Sequence, residues 1–160
     1  MAELSTIMEN NAIPLKRKIH DCIDTGADLA LTSGVEVNLP VDCALRDYKS
    51  TDLALWNNTT AIVKDSIDDN EIKLKLKLEL NGAANDICQL RVFVPHPTFG
   101  DIEVDYQELV LYKNNIDTLF TTFTLLYNGI DSDATTYGFK ITLTPTGNMT
   151  LKQRSILVTA

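Results

Sequence analysis

The run EIKLKLKLEL, Glu71-Ile72-Lys73-Leu74-Lys75-Leu76-Lys77-Leu78-Glu79-Leu80, decides the fold. Every second residue is Ile or Leu, and every intervening one is Lys or Glu. All the apolar side chains share one parity. A helix would scatter them around its circumference, whereas an extended chain places them on one face. The spacing therefore predicts a strand despite the helix-forming residue types. Ten extended residues span roughly 33 Å, long for a strand in a small domain. Asn81-Gly82 follows as a turn signal. Ile72, Leu74, Leu76, Leu78 and Leu80 are assigned to the core. The Lys/Glu face is assigned to water, to cross-strand pairs with acids such as Glu103 and Asp105, and to guarding the sheet against edge-to-edge pairing.

The same period recurs downstream. ICQLRVFVP (87–95) sets Cys88, Leu90, Val92 and Val94 on one face. PHPTFGD is a connection, because Pro95 and Pro97 cannot donate to a ladder. IEVDY (102–106) and ELVLY (108–112) alternate with opposite parity, which implies a bulge or a corner between them. TLFTTFTLLY (118–127) is apolar on both faces, the pattern of a central or interface strand. YGFKITLT (137–144) aligns Tyr137, Phe139, Ile141 and Leu143, and RSILVTA (154–160) closes the chain. Upstream, LALTSGVEVNLPV reads as two short strands around Ser33-Gly34. LALWNNTTAIV reads as another pair broken at Asn57-Asn58. Eight to ten strands about ten residues apart, with no long helix between them, predict an all-β antiparallel sandwich of jelly-roll type. Residues 1–24 are assigned to a short N-terminal arm, since Leu4, Ile7 and Met8 could form one helical turn and Pro14 stops it. Residues 25–160 are assigned to the sandwich.

The 160-residue length fits one domain with one core. The net charge of −8 disfavours nucleic acid and anionic membrane as partners, because both would repel it. No apolar run reaches the roughly 18 residues of a membrane span, and the N-terminus does not read as a signal peptide. Cys22, Cys43 and Cys88 are odd in number and widely spaced. They read as reduced, mostly buried thiols of a protein made in a cytosol.

Chemistry is sparse. His20 and Cys22 share a strand face, but no further ligand stands at a zinc spacing. A surface His beside a buried Cys is the plainer reading, with His96 facing solvent between two prolines. No close His pair, nucleophile elbow or phosphate loop is present. Asp68-Asp69-Asn70-Glu71 and Asp131-Ser132-Asp133 read as solvated acidic turns rather than cation sites. The chain is read as no enzyme, with no metal and no cofactor. A sugar-binding module would need exposed aromatics. Trp56 is the candidate ligand contact, ahead of Phe99, Tyr106, Tyr112 and Tyr127, although a Trp in a small β protein more often lies in the core.

The order LTSGVEVNLPVD, LWNNTTAIV, QLRVFVPHP, YGFKITLT and RSILVTA resembles the small virion jelly-roll proteins of tailed bacteriophages. These are trimeric head-decoration, head-fibre or tail-attached proteins of tumour-necrosis-factor-like architecture. The resemblance covers roughly residues 25–160 and rests on pattern. It implies a structural virion protein made in the host cytoplasm, self-associating as a homotrimer and attached to capsid or other virion proteins. It also implies an anchoring role for the arm, through Leu4, Ile7, Met8 and Ile13. Phe120 and Leu126 on the doubly apolar run are the subunit-interface candidates. The alternative is a carbohydrate-binding jelly-roll module or receptor-binding tip, with a glycan as partner.

Overall fold

The computed structural model describes residues 18–42, 53–64, 71–126 and 137–160. Eleven strands lie in these segments: β1 Ile19–Asp24, β2 Leu29–Leu31, β3 Val37–Asn38, β4 Trp56–Asn57, β5 Ile62–Val63, β6 Glu71–Asn81, β7 Ile87–His96, β8 Gly100–Val110, β9 Ile116–Leu126, β10 Phe139–Pro145 and β11 Met149–Thr159. They form two sheets. The first has the order β1-β11-β6-β9, with β2 pairing β11 beyond the end of β1. The second has the order β4-β5-β10-β7-β8, with β3 pairing β10. All the strand pairs are antiparallel. The last six strands cross repeatedly between the sheets, which is jelly-roll topology. The all-β antiparallel sandwich inferred from periodicity is the observed fold.

β6 carries the strict alternation into structure. Ile72, Leu74, Leu78 and Leu80 are fully buried and Leu76 nearly so, while Glu71, Lys73 and Lys75 are exposed. Each buried Leu or Ile contributes roughly 1.5–3 kcal/mol of transfer free energy. The inward row meets Leu90, Val92, Ile141 and Leu143 of the other sheet within one contiguous core. β6 is flanked by β11 and β9. Its backbone is therefore paired on both sides, and its lysines guard no sheet edge. Two of the three pair along their own strand, Lys73 with Glu71 at 2.7 Å and Lys77 with Glu79 at 3.3 Å. Glu103 and Asp105, the acids expected opposite them, sit on β8 in the second sheet, where Glu103 faces Arg91 at 3.7 Å.

Several sequence assignments move. Ile19–Asp24 pairs residue for residue with β11, from Ile19↔Thr159 to Asp24↔Arg154, so the sandwich begins before residue 25. Burial explains this: His20, Cys22 and Asp24 alternate inward on β1. His20 is thus a buried side chain, not a surface one. Leu4, Ile7, Met8 and Ile13 lie outside the described residues. Cys22 is disulfide-bonded rather than a reduced thiol, whereas Cys88 is free and buried. Cys43 lies outside the described residues. Among the described residues, the run around Phe120 forms the edge strand β9 rather than a central one. The parity switch in β8 is a bulge opposite Val92/Phe93, at Val104, earlier than the boundary between IEVDY and ELVLY.

The flanks are closed by side chains. Between the edges of β8 and β9, the Gln107 amide donates to the Thr122 carbonyl at 3.1 Å and accepts from the Thr121 hydroxyl. Gly138, with φ 77°, leads into β10. A Cβ there would stand 2.6 Å from the Val63 carbonyl, so only glycine fits both the conformation and the space.

Candidate functional site

The opposite flank holds the most developed polar arrangement among the described residues. β11 carries a bulge between Leu151 and Arg154, opposite the gap between β1 and β2. The bulge turns Arg154 inward, where it is 7% exposed. Asp24, the last residue of β1, is fully buried and meets Arg154 Nε with Oδ2 at 2.9 Å. Asp24 also accepts the Gly26 N–H at 2.8 Å and the Asp42 N–H at 2.8 Å. Arg154 donates from Nε to the Pro40 carbonyl at 2.8 Å. Its Nη1 donates to the Ala27 carbonyl at 3.1 Å and the Lys152 carbonyl at 2.8 Å. The buried pair is therefore satisfied largely by backbone, the condition under which such a pair is tolerated. It ties β1, the bulge of β11 and the segment entering Asp42 together.

Above this pair lies a cavity of about 410 Å³. Asp24, Arg154 and Val41 line it, with Pro40 beside them. The exposed rim is Asp42, Asn58 and Thr59. The turn carrying Asn58 and Thr59 is shaped locally. Asn57 Oδ1 accepts the N–H groups of Thr59 and Thr60, both at 3.0 Å, and Ala61 closes the turn at φ 55°. Asn58 Nδ2 reaches across to Asp42 Oδ1 at 3.0 Å.

Trp56 lies beneath this region. It is 5% exposed, and its indole N–H donates to the Val41 carbonyl at 3.3 Å. The ring belongs to the core and offers no face for stacking on a sugar. Periodicity gave no sign of the cavity, since Asp24 and Arg154 meet only through the bulge and Asp42 through tertiary packing.

Other candidates scatter. Phe120 is 70% exposed on the outward side of β9, opposite Lys77. Leu126 ends β9 opposite Glu71. Phe99 is 79% exposed at the β7–β8 turn, its ring tilted by 35° against that of His96 with centroids 4.6 Å apart. His96 Nδ1 accepts the Thr98 and Phe99 N–H groups, both at 3.0 Å. Tyr112 is exposed in the β8–β9 loop. Tyr106 stands under the Arg91 guanidinium at 5.8 Å and donates to Glu108, which holds its phenol above the usual range. Burial pushes the Cys88 thiol up to about 12. No group of metal-ligating side chains is assembled among the described residues. No helix among them is long and apolar enough to cross a membrane. The acidic turns at 68–70 and 131–133, and Tyr127, lie outside the described residues.

No protein-family model matches the chain, and no curated protein matches it. Solved structures do share its fold. It is similar to the Eiger TNF of S. frugiperda, with a TM-score of 0.53 and 11% identity over 90% of this chain and 92% of that one. It is also similar to the PRD1 vertex protein P5, with a TM-score of 0.52 and 11% identity over 89% of this chain and 95% of that one. What the chain shares with both is the jelly-roll sandwich. At these identities the likeness speaks to architecture alone.

Proposed function

We propose that the chain is a structural virion protein of a tailed phage, a decoration or head-fibre type protein that assembles as a homotrimer on the particle. The observation that carries the oligomer is Phe120. A large aromatic 70% exposed on the outward face of an edge strand offers the kind of apolar anchor that subunit interfaces are enriched in. The particle location is supported by the likeness to a vertex protein on the same fold, and by the resemblance of the strand order to virion jelly rolls. The chain would act by shape, burial and symmetry. Residues before β1, with Leu4, Ile7, Met8 and Ile13, would supply the anchor.

The test is co-sedimentation with purified particles lacking the protein, combined with sedimentation velocity. The intact chain is expected to sediment as a trimer and to load onto particles. Deleting residues 1–15 should abolish loading and leave the trimer. A monomer at micromolar concentration that also fails to load would overturn the reading.

A further inference from the structure

We propose that the cavity above the Asp24–Arg154 pair is a binding site for a neutral polyhydroxylated ligand, a saccharide unit. This stands on the geometry of the flank and goes beyond a role on a particle.

Arg154 is the donor at the floor of this cavity. A guanidinium has five N–H groups. The Nε group is shared between Asp24 and the Pro40 carbonyl, and both Nη1 groups are taken by the carbonyls of Ala27 and Lys152. The two N–H groups of Nη2 remain. Arg154 lines the cavity, and its Nη2 is not among the sealed, unpartnered atoms of the interior. A side chain nine-tenths buried thus keeps one donor end toward an open space.

The chemistry of the walls selects the occupant. Asp24 and Asp42 place two carboxylates around one guanidinium, so an anion would meet net repulsion. A small cation would meet Arg154 and the already satisfied Asp24. A hydroxyl pair meets neither obstacle. One oxygen accepts from Nη2 while its neighbour donates to the Asp42 carboxylate on the rim. The Asn58 amide, which already donates from Nδ2 to Asp42 Oδ1, holds that carboxylate in place, and the Thr59 hydroxyl is a group that can both give and take a hydrogen bond. Pro40 and Val41 supply an apolar wall for the C–H faces of a ring. The volume of about 410 Å³ is of the size that holds small ligands. A sugar site therefore sits beside Trp56 without using its ring.

The experiment is a titration of the full chain followed by amide and arginine side-chain NMR. The probes are glucose, galactose, mannose and N-acetylglucosamine, with inorganic phosphate, acetate and calcium as charged comparisons. At least one sugar is expected to bind at about millimolar strength, shifting Asp42, Asn58, Thr59 and the Arg154 Nε–H. Asp42→Ala removes the rim carboxylate but keeps the backbone N–H that holds Asp24. It should weaken binding roughly tenfold, about 1.4 kcal/mol, the scale of one hydrogen bond to a charged group. Asn58→Ala, whose amide spectrum should stay native, is the second variant and should weaken binding several-fold. The proposal is overturned if no sugar moves these resonances, if both variants bind as the parent does, or if a charged probe binds there in preference. Loading onto particles is a separate measurement, so failure here leaves the structural role standing.

Discussion

β6 and β9 run side by side through eleven antiparallel pairs, from Glu71↔Leu126 to Asn81↔Ile116, yet their outer faces differ. Inward they match: Leu74 lies opposite Phe123 and Ile72 opposite Leu125, all of them buried. Outward, β6 shows Lys73, Lys75 and Lys77, while β9 shows Thr118, Phe120, Thr122 and Thr124. Burial dictates the inner face of both strands. The outer face is free to record what lies beyond it, which is water for the central strand and, on our reading, another subunit for the edge strand.

The inner side that β6 and β9 share is the one most sensitive to a buried charge. Leu76→Asp places a carboxylate among Leu and Val side chains with no partner, and the cost exceeds ~4 kcal/mol. A domain of ordinary stability does not survive that. Circular dichroism and amide dispersion should show an unfolded or aggregated chain. Cooperative unfolding near the parent midpoint would mean that the inner face has been misassigned.

Phe123→Ala tests the matching row on β9. Phe123 is fully buried, and truncation of such a ring costs about 3–5 kcal/mol, less where an edge strand can relax into the space. Chemical denaturation should give a value at the lower end with an unchanged m-value. A loss near zero would show that the two inner rows are not equivalent.

How far the sequence was legible follows from the same contrast. Period two in EIKLKLKLEL and ICQLRVFVP led directly to β6 and β7, because burial on one face imposes alternation. It led less well to β9, since Phe120 fills the outward parity and imitates a strand buried on both sides. It missed β1 as part of the sandwich. There the inward residues are His20, Cys22 and Asp24, which do not read as apolar. Asp24 is tolerated inside only because Arg154 and two backbone N–H groups meet it, and those partners come from distant segments. The disulfide at Cys22 was hidden for a similar reason, since widely spaced cysteines leave pairing to the tertiary structure. The same nonlocality kept the cavity out of view. Trp56 stood out by residue type, but residue type alone does not distinguish a ring facing solvent from one bonded to the Val41 carbonyl.

Phe120→Ser sharpens the difference between the outer faces. The side chain is mostly solvated within one subunit, so the stability of a monomer should change by less than about 0.5–1 kcal/mol. The oligomer should weaken by far more, because a large apolar side chain is lost from each copy. Sedimentation velocity should show a shift toward monomer at concentrations where the parent is a trimer. If the distribution is unchanged while the fold persists, the outward Phe has another purpose and the interface lies elsewhere.

Lys75→Thr is the smallest perturbation and probes the other outer face. Lys75 makes no ion pair among the described residues, and it faces Thr122 across the ladder. Threonine has the higher strand preference, and a Thr–Thr cross-strand pair contributes roughly 0.2–1 kcal/mol. Loss of one solvated ammonium has no compensating penalty, because its neighbours on β6 pair with Glu71 and Glu79. Since both backbone edges of β6 are already bonded, removing the lysine exposes no unpaired ladder. The expected change in denaturation free energy is therefore within about 0.5 kcal/mol, slightly stabilising in sign. Particle loading and oligomer size should not move. A loss of more than about 1 kcal/mol, or a change in oligomer, would mean that the Lys face is occupied and that the contrast between β6 and β9 is one of partner rather than of partner against water.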